Sequence, residues 1–377
     1  MKISMKADIR VDWQETWSHF VQSIAVDGRE QESTCKVCDI EINEGGLAQI
    51  FGATFQIPAE LFKVTEWKCW FQEGTTGYTV FGINAAPLAV SISGEVAPIP
   101  VSLKDVACIV LSYVDTSKIS ETLAIVNPES LTTLHIIFCE RPTDLELLPL
   151  MRFKNLMHLC IEESRLMHEP ETVTDLTPLI GLKQLKELSL TGGIGQKLKT
   201  IEPLTQLPDL TAITLFDCAE GLDLSPLAQI PRLDELTLSG CITSSNLSII
   251  SGITHLDCLS LNVDESFKDL TPLAQLKNLR SLLISGCSEV ADIEPLVALY
   301  KLEELQLLWI PLLTNLAPLA ELRSLESLLL FKCTACDVTP LTRLTHLRKL
   351  VLSGCGPVKG VNLLSEMRNL KELHIVD

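Results

Sequence analysis

Two groups of residues carry side chains able to do chemistry. Cys35-Lys36-Val37-Cys38 has the Cys-x-x-Cys spacing of a metal-binding knuckle, and Cys69 lies 31 residues beyond Cys38. His135, His158, Cys160, Glu162 and Glu163 form the second group. Imidazole, thiol and carboxylate on neighbouring strands suit metal coordination or proton transfer. Neither group shows a nucleophile, a base and an orienting residue at readable spacing. The chain also lacks a Gly-x-x-x-x-Gly-Lys-Ser/Thr phosphate loop, a Gly-x-Ser-x-Gly elbow and a His-Glu-x-x-His pair. Thr191-Gly192-Gly193-Ile194-Gly195 is Gly-rich, but it follows a strand-like segment and reads as a turn. The chain is therefore expected to bind rather than to catalyse.

The elements that must position these residues form a repeat. From Leu103 onward one leucine pattern returns about a dozen times. Aligned on the proline, the copies fall at Pro149, Pro178, Pro203, Pro226, Ile249, Pro272, Pro295, Pro318, Pro340 and Leu363. From Pro203 the spacings are 23 residues, with a single 22. Two weaker copies precede them, at Val106, Ile109, Leu111 and Val114, and at Leu131, Leu134, Ile136 and Cys139. One half of each copy, such as Leu279-x-x-Leu282-x-Ile284, alternates apolar and variable residues and predicts a short strand with one buried face. The other half, Thr271-Pro272-Leu273-x-x-Leu276, predicts a short helical turn capped by the Thr, with Pro at its first position. Asp175, Asp223, Asp269 and Asp292, each three residues before a proline, are expected to support that turn. So short a unit cannot bury its own leucines and must stack on its neighbours.

The segment Leu233-Asp234-Glu235-Leu236-Thr237-Leu238-Ser239-Gly240-Cys241 resembles the leucine-rich-repeat motif. The Pro-Leu-x-x-Leu half looks like the short-repeat, internalin-type subclass. The resemblance implies an α/β fold over residues 101–377, in about 12 repeats of ~23 residues. It would be a curved horseshoe solenoid with a parallel sheet on its concave face and short or 3-10 helices on its convex face. About twelve strands at ~4.8 Å give a face ~55 Å long. Cys139, Cys218, Cys241, Cys287, Cys333 and Cys355 fall where the family carries Asn or Cys, so they read as buried thiols bonded to backbone carbonyls. The 13 cysteines suggest no disulfide framework.

Residues 1–100 lack the repeat and hold Trp13, Trp17, Trp67 and Trp70. They are expected to form a small β-rich domain or cap, with strands at Tyr78-Thr79-Val80-Phe81 and Leu88-Ala89-Val90-Ser91-Ile92. The stretch from Thr34 to Leu47, together with Glu66-Trp67-Lys68-Cys69-Trp70, is similar to the poly(ADP-ribose)-polymerase-type zinc finger. The resemblance implies zinc on Cys35, Cys38 and Cys69, with Glu66 in the slot of the family's histidine. It also implies a second function, a nucleic-acid or damage sensor.

The charge weighs against that second function. Lys+Arg number 30 and Asp+Glu 48, a net of −18. Nucleic-acid backbones and anionic membranes need basic surface, so both are disfavoured as partners. Met1 to Asp8 holds no apolar signal region, and the most apolar stretch, Ala85 to Leu103, contains Glu95 and three prolines. The expectation is a cytoplasmic chain with no membrane partner. The first function is therefore a scaffold that recognises a protein partner on the concave face, with a homodimer contact as the competing use of that face. Leu283, Leu308, Trp309, Leu329 and Phe331 form an apolar group on adjacent strands, with Phe216 further along. Such a patch, with a Trp in it, marks an interaction site. Asp217, Glu162 and Glu163 are expected to extend it as polar surface.

Overall fold

The structure, a computed structural model, describes residues 2–5, 38–41, 47–50, 53–56, 69–73, 78–83, 86–93, 103, 106–114, 116–138, 144–163, 173–218, 221–241, 244–263, 268–334 and 337–376. It divides into two compact units, residues 1–198 and 199–377.

The first unit holds two antiparallel pairs, β1 (Lys2–Met5) with β2 (Cys38–Glu41) and β3 (Leu47–Ile50) with β4 (Ala53–Gln56). Its main sheet runs β5 (Cys69–Glu73), β6 (Tyr78–Ile83), β7 (Ala86–Ser93), β8 (Cys108–Val114), β9 (Thr133–Phe138), β10 (His158–Glu163) and β11 (Glu187–Thr191). β5, β6 and β7 are antiparallel, and from β7 onward every strand is parallel to the next. The strands expected near Tyr78 and Leu88 are thus β6 and β7. The parallel ladder begins at β7, before the first leucine copy.

The second unit follows the repeat throughout its described residues. Its eight parallel strands, in sequence order, are β12 (Ala212–Phe216), β13 (Glu235–Ser239), β14 (Cys258–Asn262), β15 (Ser281–Ser285), β16 (Glu304–Leu308), β17 (Ser327–Phe331), β18 (Lys349–Ser353) and β19 (Glu372–Val376). Most strands are followed by one 3-10 turn, such as Thr271–Gln275. This is the open parallel sheet with short helical turns that the repeat implies. Among the described residues no helix is long and apolar enough to cross a membrane.

The core follows from the pattern. In one copy Leu270, Leu273, Leu276, Leu279, Leu282, Ile284, Cys287 and Val290 are all buried. Each leucine sits on its counterpart one rung away, Leu282 against Leu259 and Leu305 in register. Burial of a leucine side chain stabilises by about 1.5–3 kcal/mol, and no rung can realise that alone.

Two expectations need correction. Thr does not cap the turn. The cap residue is Leu270 and makes no side-chain cap bond, because Thr271 already holds the first helical position. Asp269 Oδ1 instead accepts the Thr271 N–H at 2.8 Å, and Asp175, Asp223 and Asp292 do the same for Thr177, Ser225 and Glu294. Asn315 and Asp337 repeat the device for Ala317 and Thr339.

The second correction concerns the cysteines. Cys218 and Cys241 are bonded as a disulfide, because adjacent rungs bring their Cα atoms to 4.9 Å. Cys333 and Cys355 stay free. Cys333 Sγ donates to the Leu307 carbonyl at 3.4 Å and Cys355 Sγ to that of Leu330 at 3.5 Å, as expected for this row. Burial pushes the Cys333 thiol up to about 11, which keeps it protonated and inert. Cys139 lies outside the described residues.

Two variants test the ladder by urea unfolding. Leu305→Ala should cost about 3 kcal/mol, since the side chain is fully buried between two rungs. Gly286→Ala should cost at least about 1 kcal/mol, because its φ is +86° and an added Cβ presses on the Val263 carbonyl oxygen. A loss under a few tenths of a kcal/mol in either variant would contradict the stacking described.

Candidate functional site

Alternation puts every second strand residue of the second unit on the outer face of the sheet, and parallel register lines them into rows. The middle row reads Thr214, Thr237, Ser260, Leu283, Gln306, Leu329, Val351 and His374. The row at the strand ends reads Phe216, Ser239, Asn262, Ser285, Leu308, Phe331, Ser353 and Val376. Leu308 and Phe331 are direct neighbours. Gln306 separates Leu283 from Leu329, and three strands separate Phe216 from Leu308. The apolar group is therefore centred on β16 and β17, with Leu283 and Phe216 at a distance. Within this unit the contacts run between neighbouring strands, between neighbouring turns, and from short helices to turns, so no described element of the unit lies over this face.

One residue beyond the strand ends the chain must turn into the core. The amide of that residue still completes a rung, as in Trp309 N–H to the Phe331 carbonyl at 2.8 Å and Lys332 N–H to that of Ser353 at 2.8 Å. The next residue is already buried: Cys241, Cys287, Ile310, Cys333 and Cys355. On most rungs the turning residue adopts positive φ, and Gly240, Gly286 and Gly354 supply it without strain; on the β14 rung Val263 does not take that conformation. Asp217, Trp309 and Lys332 occupy the same position at φ 51°, 58° and 52°. Asp tolerates this region, whereas Trp and Lys do so at a cost of about 1–2 kcal/mol each.

The two strained residues build one feature. The Trp309 and Phe331 rings meet edge to face, with centroids 5.4 Å apart and planes at 76°. Lys332 Nζ stands 3.7 Å from the Trp309 ring centroid and 5.5 Å from that of Phe331. Trp309 keeps 49 % of its surface exposed. An exposed cation–π contact contributes about 0.5–1 kcal/mol and an aromatic pair about 0.5–1.5. These gains only match the backbone strain, so stability does not explain the arrangement. Lys332 escapes the alternating strand pattern because it follows the strand. Its signal in the sequence is alignment of the copies, which sets Trp309 and Lys332 against Gly240, Gly286 and Gly354.

The His–Cys–Glu group belongs to the first unit. Register sets Cys160 beside His135, and His158 beside Glu187. His158 Nδ1 lies 3.0 Å from Glu187 Oε2, and this bond holds the Glu187 carboxyl below its usual range. His135 Nε2 stands 3.7 Å from Glu162 Oε2, too far for a hydrogen bond but close enough for attraction between charges. Burial alone would lower the His135 pKa, yet Cys160 and Glu162 outweigh it and push it up to about 9. Both faces of β8 are buried here, Cys108 and Val110 as well as Ile109 and Leu111, and β4 packs against β8 and β9. Glu163 is 8 % exposed, and a Cβ at position 193 would collide with its carboxylate, which Gly193 avoids. Of the two glutamates expected to extend the recognition surface, Glu162 is half-buried on the side of His158 and Cys160, and Glu163 is buried on the opposite side with Leu159 and Ile161.

Among the described residues no three His, Cys, Asp or Glu are arranged to hold a metal ion. Of the zinc set, Cys35 and Glu66 lie outside the described residues. Cys38 opens β2 and Cys69 opens β5, in two different sheets.

Two measurements check this geometry. At a left-handed position Trp309→Gly should be about 1 kcal/mol more stable than Trp309→Ala, since both lack the ring and differ only in the backbone term. An Ala variant as stable as the Gly variant would contradict the positive φ. An NMR titration should place the His135 midpoint above 8, and Glu162→Gln should lower it. A pKa raised in the folded state means that stability is full below about 6.5 and falls as pH rises towards 9. A midpoint near 6.5 in the parent chain would contradict the ion pair.

No protein-family model matches the chain, and no curated protein does. Solved structures are similar to it, three of them as follows. Internalin C2 from Listeria monocytogenes is 29 % identical with a TM-score of 0.43, over 52 % of this chain and 82 % of that one. A second Listeria monocytogenes internalin, internalin F, is 20 % identical with a TM-score of 0.46, over 77 % and 82 %. A leucine-rich-repeat protein of Leptospira interrogans is 17 % identical with a TM-score of 0.39, over 72 % and 84 %. The repeat geometry stands without them. One short parallel strand per rung, a 3-10 turn after most of them and leucines stacked in register give this chain the fold of a leucine-rich-repeat solenoid.

Proposed function

We propose that the chain is a protein-recognition scaffold that captures a protein partner on the outer face of the second unit's sheet. The observation that carries this reading is Trp309, a half-exposed tryptophan held in a strained conformation beside Phe331 and Leu308. Trp is enriched among residues that dominate binding energy, and strain at an exposed aromatic is what a recognition site retains and a stabilising contact does not. Leu329, on the same strand as Phe331, and Leu283 would border the contact, and Phe216 with Asp217 would mark its far end. The chain would do no chemistry of its own, and the His135–Glu162 and His158–Glu187 contacts are read as ion pairs between neighbouring strands.

The test is affinity capture from lysate of the source cells, read by mass spectrometry. Trp309→Glu/Phe331→Glu should lose at least about 100-fold in partner recovery, given two hot-spot residues at ~2 kcal/mol or more each. Its urea midpoint should stay within about 0.5 kcal/mol of the parent, as for surface substitutions. A partner captured equally by both proteins would overturn this reading.

A further inference from the structure

The cations on the second unit's sheet side differ in what holds them. Arg280 stands between Asp257 and Glu303, at 3.2 and 2.6 Å. Arg348 faces Glu326 at 3.5 Å, and Lys349 faces Glu372 at 3.5 Å. Lys332 is held by the Trp309 and Phe331 rings, and among the described residues it makes no ion pair with a carboxylate. The chain as a whole carries a net charge of −18, and at this corner the exposed cation is held by two rings.

The surroundings favour an incoming group. Gly286 and Gly354 occupy the same position on the flanking rungs, so bare backbone borders the Trp309–Lys332 pair on both sides. Gly354 also makes room for the Lys332 stem, since a Cβ there would stand 3.0 Å from Lys332 Cγ. The ammonium is thus set in place before any partner arrives, and its position is fixed by two rings rather than by a flexible acid. A preorganised charge at the edge of an apolar contact contributes selectivity for its complement and rejects its like.

We propose that the Trp309–Phe331–Lys332 corner receives an acidic segment of a partner protein, in which a carboxylate sits beside a large apolar side chain. The apolar group covers Trp309, Phe331 and Leu308, and the carboxylate accepts from Lys332 Nζ. This inference rests on the recognition reading above and adds the partner's chemistry to it. A basic segment would meet like charge at that corner, although the net charge of the whole chain would attract it from a distance.

The probe is a random twelve-residue displayed peptide library, selected on the full chain and counter-selected on Trp309→Glu. Clones that depend on Trp309 should be enriched in Asp or Glu next to an aromatic or aliphatic residue. In a synthetic peptide from such a clone, replacing the acid by its amide should weaken binding about tenfold to the parent chain and less than twofold to Lys332→Met. Trp309-dependent clones with neutral or basic neighbours would overturn the acidic-partner inference and leave the recognition reading standing. A tenfold amide effect that persists in Lys332→Met would overturn it too, because another cation would then be responsible. No Trp309-dependent clones at all would overturn both.

Discussion

Most rungs of the second unit carry the chain from the sheet into the core within a single residue. The amide of that residue completes the last hydrogen bond of the strand, and the next side chain is already buried. On five rungs the residue that meets both demands, Gly240, Gly286, Trp309, Lys332 or Gly354, has positive φ. Much else in the second unit depends on this constraint. It places the cysteine row under the strand ends, where Cys333 and Cys355 bond to carbonyls of the preceding rungs. It brings Cys218 and Cys241 close enough to join. It selects glycine on three of the rungs and makes any other residue there a departure that needs a reason.

Trp309 and Lys332 are that departure, on adjacent rungs. Their contacts with Phe331 return about as much free energy as the backbone conformation costs, so the fold gains nothing from them. What they provide is position. A left-handed backbone throws the side chain away from the core at the end of the strand, and the rigid ladder beneath fixes where it stands. The indole is thereby presented as a hard aromatic surface with little conformational entropy left to lose on binding.

Most of the fold was legible because the leucine spacing is itself the packing rule. The proline rows gave the turns, and Leu279, Leu282 and Ile284 gave the strand and its buried face. The capping of the turns was misassigned to Thr271, since the pattern does not say which of two neighbouring polar residues reaches the backbone. Of the site, Trp309 and Phe331 were legible as outward aromatics. Lys332 was not, because its role comes from a ring contact that crosses rungs and from a backbone angle. The covering of β8 and β9 by β4 was also hidden, since a short strand carries no mark of what it packs on. Glu163 looked like surface beside Glu162, but alternation turns it to the side of Leu159 and Ile161, where it is buried.

The most direct measurement is a structure of the chain with its captured partner bound. The account predicts the partner's side chains over the Trp309 and Phe331 rings, near Lys332, with the backbone of β15 to β18 unmoved. A partner seated on the 3-10 turns or on residues 1–198, with the Trp309 ring still open to water, would contradict it.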